Sequence, residues 1–235
     1  MIDLSTPLSL ASSFRFPLQS AESRREIAWG ALLLVLLPGI GWFLNMGHRI
    51  VVVHRMQHGE PPWPAWKNYP QLLGHGLITF GGMLYYSAPG LALAYVSWAL
   101  RSRAAAVAAA GLLVAATLAT PGYMSHYCRE FDPAEIYNPL RALGRCIQGG
   151  TAYWHAWLIT LCALVASFSG LLALGAGFLF TSVWFWQVAG FSFARVFTRR
   201  FGLDADPLGG AITATRTTPC GSTGRERAAR IHPEP

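Results

Sequence analysis

The sequence predicts an all-α, polytopic membrane bundle of about five transmembrane helices with two amphipathic interfacial elements. Three observations carry this. Between Trp154 and Ala194 there is no Lys, Arg, Asp or Glu. That run is about twice the ~20 residues needed to cross a ~30 Å hydrocarbon core, so it reads as two crossings. Of 235 residues, 53% are hydrophobic and 12% charged, about half the ~25% charged residues of a soluble domain. Finally, the basic residues behind the net charge of +7 flank the apolar runs instead of forming one patch. They are topology information and not a nucleic-acid footprint, so the expected surroundings are a lipid bilayer and no nucleic acid.

Residues 1–26 are polar to mixed and read as a partly disordered leader, with Phe14, Phe16 and Leu18 suited to a short amphipathic turn. The membrane domain is expected over 27–200. Its first apolar run is Ile27 to Met46, guarded by Arg24 and Arg25 and interrupted by Pro38-Gly39. A proline removes a backbone hydrogen bond and clashes with the preceding turn, so a kink is expected at Pro38. A kinked spanning helix and a re-entrant segment both fit. His48 to His58 alternates apolar and cationic positions and is expected to continue as a surface helix. Pro61, Pro62 and Pro64 then force an extended path, with Trp63 and Trp66 suited to headgroup depth.

Pro70 to Trp98 is the second expected crossing, with a glycine-rich start and a second kink at Pro89. Ala104 to Thr120 is the third. Ala134 to Ile147 reads as an amphipathic surface helix, with Leu140, Leu143 and Ile147 on one stripe and Arg141 and Arg145 beside it. The charge-free run supplies the last two crossings, divided near Ser169-Gly170 to Gly177. Beyond 200 the chain is rich in Thr, Gly, Pro and Arg. It has too few large apolar side chains to offset the ordering of its backbone, so 201–235 reads as a disordered basic tail.

With five crossings, nine Lys and Arg near the membrane fall on the side of the 48–69 and 127–150 loops, against five opposite. The positive-inside bias puts those loops and the C-terminal tail in the cytoplasm, with the N-terminus outside. Making the first segment re-entrant changes the tally to twelve against two. The expected location is the cell inner membrane.

Gly47-His48-Arg49-Ile50-Val51, then Gly59-Glu60, then Pro62-Trp63-Pro64-Ala65-Trp66, followed by Leu72-Leu73, Gly76 and Tyr86 to Pro89, and later Trp186-Gln187, Gly190 and Val196, carry a resemblance. Over 27–200 the chain resembles a prokaryotic membrane-protein family catalogued as domain of unknown function 4013. The resemblance implies a small polytopic membrane protein and brings no catalytic residues. Lys67-Asn68 stand where that family carries acidic residues.

The eleven acidic residues lie outside the apolar runs, which disfavours ion-coupled transport, since that needs an ionisable group within the membrane. His48, His75, His126 and His155 all fall at the cytoplasmic ends of crossings. They serve either as interfacial anchors or as haem or metal ligands. Arg49, Arg55, Arg141 and Arg145 are candidates for anionic headgroups. No P-loop, zinc-protease or serine-hydrolase motif is present. The function this supports is non-enzymatic, without a cofactor: a scaffold or accessory membrane component, with a membrane-protein partner or a second copy of itself. A small transporter or lipid-handling channel, motivated by the Pro38 and Pro89 breaks, and a haem- or metal-binding membrane protein stand beside it.

Overall fold

A computed structural model describes residues 8–172 and 175–197. Helices make up the regular structure among them, with no strand: α1 (Leu10–Arg15), α2 (Ala21–Leu36), α3 (Ile40–Gln57), α4 (Tyr69–Leu100), α5 (Arg103–Glu130), α6 (Ala134–Tyr137), α7 (Pro139–Gln148), α8 (Gly150–Ser167) and α9 (Ala176–Val196). The starts are chemically marked. Ser20 and Ser23 form a reciprocal capping box on α2, Ser102 caps α5, and Asn138 caps α7 ahead of a proline in its first turn.

Six of these helices form three antiparallel pairs. Asn45 reaches back to Gly30 and His48 to Glu26, pairing α2 with α3. His75 meets Tyr127 and Tyr86 stacks on Tyr123, pairing α4 with α5. Trp157 meets Phe193 and Thr181 donates to the Ser167 carbonyl, pairing α8 with α9. Gly47 packs on the Leu72 backbone and Gly76 on that of Phe43, so α3 and α4 are antiparallel as well. His48 with Gln187, and Val53 with Gly190, set α9 parallel to α3. All three reversals, at 37–39, at 101–102 and between α8 and α9, therefore share one end. The connectors 58–68 and 131–149 share the other, together with α1, whose Ser12 accepts from Arg195.

The all-α bundle holds, and α4, α5 and α8 with its continuation to Leu172 are long and apolar enough to cross a membrane. The division of the charge-free run into α8 and α9 falls where the small residues cluster. The first apolar run is different. It is not one kinked crossing but the α2–α3 hairpin. Leu37, ahead of a proline, leaves the helical region at φ −131°, and Gly39 takes φ +85°, which suits only glycine. Non-helical backbone on both sides of Pro38, at Leu37 and Gly39, reverses the chain where a single break would have bent it. Pro89-Gly90 and Pro121-Gly122 stay inside unbroken helices. Gly90 is pressed onto Leu113 and Gly122 onto α7, so the packed partner runs on past each of them.

Three further expectations change. Within 1–26 the described residues are mostly helical, and Phe16 is buried between Trp63 and Phe191. His48 to His58 is not a surface helix: His48, Arg49, Ile50, Val52, Val53 and Met56 are all buried, because α3 runs through the centre against α2, α4, α5 and α9. The amphipathic stretch 134–147 breaks into α6 and α7 at Asn138-Pro139, though Leu140, Leu143 and Ile147 do form its exposed apolar stripe. The tail expected over 201–235 lies outside the described residues.

Candidate functional site

Because α3 is central, its consecutive residues face different neighbours. Successive helix positions are ~100° apart, so His48 and Arg49 point into separate environments.

His48 faces α2 and α9. Its Nε2 lies 2.8 Å from Glu26 Oε2, and its Nδ1 lies 3.1 Å from Gln187 Nε2. An amide nitrogen only donates, so with that nitrogen facing it Nδ1 accepts, Nε2 carries the proton, and the ring is neutral. Glu26 Oε2 also accepts from the Ala65 N–H at 2.9 Å, and the Glu26 carbonyl accepts from the Trp66 indole at 3.0 Å. The imidazole is sandwiched against Trp66, ring centroids 4.1 Å apart. The network joins α2, α3, the 58–68 connector and α9. Glu26 and both ring nitrogens of His48 are engaged within it, which marks it as the brace of the fold.

Arg49 faces the other way, into a cavity of about 350 Å³ walled by α3, α4, α5, α8 and α9. The guanidinium lies 4.7 Å from the Trp186 ring centroid and donates to Met124 Sδ at 3.3 Å. Arg49 is 7% exposed, and neither an oxygen acceptor nor a carboxylate meets it among the described residues. Thioether sulfur is a weak acceptor, and a desolvated cation–π contact supplies about 2 kcal/mol against several kcal/mol for burying the ion. Gly190 leaves space for the arginine stem, since a Cβ there would meet Arg49 Cγ at 3.2 Å. A second polar group in the same wall is also unsatisfied: Thr160 Oγ1 is buried without a hydrogen-bond partner among the described residues. The rest of the lining is mainly apolar, with the hydroxyls of Ser87, Thr117, Thr120 and Ser125 among it. The cavity reaches the surface between α5 and α8, which scarcely touch each other. Thr117 and Leu161 line it there and are themselves exposed, and the outer faces of the same helices carry Val114, Leu158 and Val165.

The four candidate histidines do not converge. His75 Nδ1 meets the Tyr127 hydroxyl at 2.7 Å, His126 Nδ1 donates to the Gly122 carbonyl at 3.0 Å, and His155 is exposed on α8. No group of three metal-ligating side chains occurs among the described residues. Of the arginines proposed for headgroups, Arg55 donates to the Pro64 carbonyl. Arg141 and Arg145 pair with Glu135 at 3.1 and 3.4 Å, so the one carboxylate on α6 is shared between them and offsets one of their two charges. Sequence reasoning missed Glu26, Gln187, Thr160 and Trp186. Glu26 was legible only through the hairpin: once Gly30 opposes Asn45, residue 26 falls opposite 48.

Comparison with family models, with curated proteins and with solved structures finds no match.

Proposed function

We propose that this chain is a multi-pass inner-membrane protein with both termini in the cytoplasm, and that it holds a membrane-borne amphiphile in the Arg49 cavity. The observation that carries the reading is the cavity itself: a mainly apolar chamber opening sideways onto an apolar surface, with an ionisable side chain in its wall. An ionisable residue at membrane depth points to function by default. This is the lipid-handling alternative of the sequence, moved from the proline breaks to the gap between α5 and α8.

The hairpins, taken with the charge bias, support this sidedness. Of the described Lys and Arg, only Arg101 and Arg103 belong to the end with the three reversals, so the bias puts that end outside and the connectors inside. Both α1 and the end of α9 are then cytoplasmic, and the α2–α3 hairpin dips in and returns. Single cysteines test this with a membrane-impermeant maleimide on intact spheroplasts. Ser102→Cys reacts from outside, Ser9→Cys and Glu60→Cys react only after the membrane is opened, and Leu37→Cys, at the greasy hairpin tip, resists both. Labelling of Ser9→Cys from outside restores the five-crossing topology and removes this one.

The ligand reading is tested by native mass spectrometry of the full chain released from a mild detergent. We expect a co-purified amphiphile on the unaltered protein and its loss on Leu161→Trp, which fills the opening; equal adducts on both proteins, or none on either, would sink it. The accessory-component reading keeps one supporting observation. No α4 residue beyond Gly90 and no α5 residue before Ala109 is buried, which leaves Tyr95, Trp98 and Leu100 bare for a partner helix.

A further inference from the structure

The geometry points to the class of amphiphile: a single-chain monoanion, a fatty-acid-type carboxylate, with its head on Arg49 and its chain leaving through the α5–α8 gap. This rests on the cavity reading above and goes further by assigning the charge and the number of chains.

Three observations carry it. Arg49 is a buried cation whose contacts are a thioether and an indole face, both of which yield to a better acceptor. A carboxylate accepts two parallel N–H bonds from a guanidinium, the strongest match available to that side chain. Thr160 Oγ1, 6% exposed and without a partner among the described residues, adds an unused hydroxyl donor to the same wall. A cation or a pure donor would leave Arg49 as it is, since a guanidinium accepts nothing, and a neutral alcohol would satisfy the pair only in part. Size sets the chain count. At about 350 Å³ the room on offer is at the small end for ligand pockets, roughly 300–1,000 Å³. That suits one acyl chain of medium length, or the head-proximal part of a longer one whose end lies in the bilayer. A phospholipid would have to bring two chains through one gap. Glu26 does not compete for the anion site, because it lies beyond His48 on the α2 side of α3 and is already engaged there.

The test is equilibrium binding of radiolabelled dodecanoate to the full-length protein in phosphatidylcholine nanodiscs, with dodecanol and dodecyl phosphate as comparison ligands. Dodecanoate is expected to bind saturably at one per chain and roughly ten- to a hundredfold tighter than dodecanol, the span for hydrogen bonds to a charged group. Arg49→Gln should lower dodecanoate affinity to the dodecanol level and leave dodecanol unchanged. Arg49→Lys, which keeps the charge but not the fork, should fall between. Equal binding of dodecanoate and dodecanol, indifferent to Arg49→Gln, overturns the anionic class while leaving the cavity reading intact. No saturable binding of any of the three, on a protein that elutes folded, overturns both. Preference for dodecyl phosphate over dodecanoate overturns the carboxylate assignment. Should Arg49→Gln unfold, the comparison of the ligands on the unaltered protein decides.

Discussion

Gly47→Leu will not yield a folded protein, and Gly47→Ala will lose about 3 kcal/mol or more. A Cβ at residue 47 would overlap the Leu72 backbone, and one at Gly76 the Phe43 backbone. These are main-chain atoms of the facing helix and cannot rotate away. Overpacking a core costs about 1–3 kcal/mol when side chains can shift, and more where only the separation of two whole helices makes room. Because α3 also carries His48 and Arg49, moving it off α4 disturbs both the brace and the cavity. Thermal unfolding followed by tryptophan fluorescence in dodecyl maltoside measures the effect. Gly74→Ala is the control, since nothing lies within 4 Å of its missing Cβ. It should be neutral or gain up to about 1 kcal/mol from helix propensity. If Gly74→Ala proves as damaging as Gly47→Ala, close backbone contact is not what holds α3 on α4.

Glu26→Ala is expected to cost about 2–6 kcal/mol, the sum for two buried donors that lose their acceptor. It strands the Ala65 N–H and the His48 Nε2–H away from water, and each orphaned donor carries a penalty of about 1–3 kcal/mol. Glu26→Gln keeps one acceptor oxygen and should lose about half as much. Exposed Glu60→Ala should stay within about 0.5 kcal/mol. A double-mutant cycle with His48→Gln isolates the pair, and a coupling of about 1 kcal/mol or more is expected for groups in one network. A loss from Glu26→Ala no larger than that from Glu60→Ala would mean that the carboxylate braces nothing.

What could be read without coordinates follows a pattern. The α8–α9 hairpin was legible because a charge-free stretch twice the needed length, with small residues at its middle, has few other ways to lie in lipid. The membrane-length helices α4 and α5 were legible from their long apolar runs. The three Pro-Gly pairs were not separable by eye. Pro38-Gly39 turns the chain around, while Pro89-Gly90 and Pro121-Gly122 ride inside helices. The dipeptide permits a break, and the packing of the flanking arms selects it. Likewise Arg141 and Arg145 looked like free cations beside an apolar stripe. Glu135 lies six and ten residues away, and only the break at Asn138-Pro139 brings it within reach.

By itself the sequence determined that this is a helical chain with membrane-length apolar segments, where those segments lie, and which stretches are too polar to be among them. These properties add up residue by residue, since the transfer of apolar surface and the length of a helix are local quantities. Only the tertiary structure decided that the first apolar run reverses, that Glu26 finds His48 and His48 finds Gln187 across 22 and 139 residues, and that Arg49 is left facing a mainly apolar cavity with no counter-charge among the described residues. Those outcomes depend on which pairs of surfaces meet, and no single segment encodes its partner.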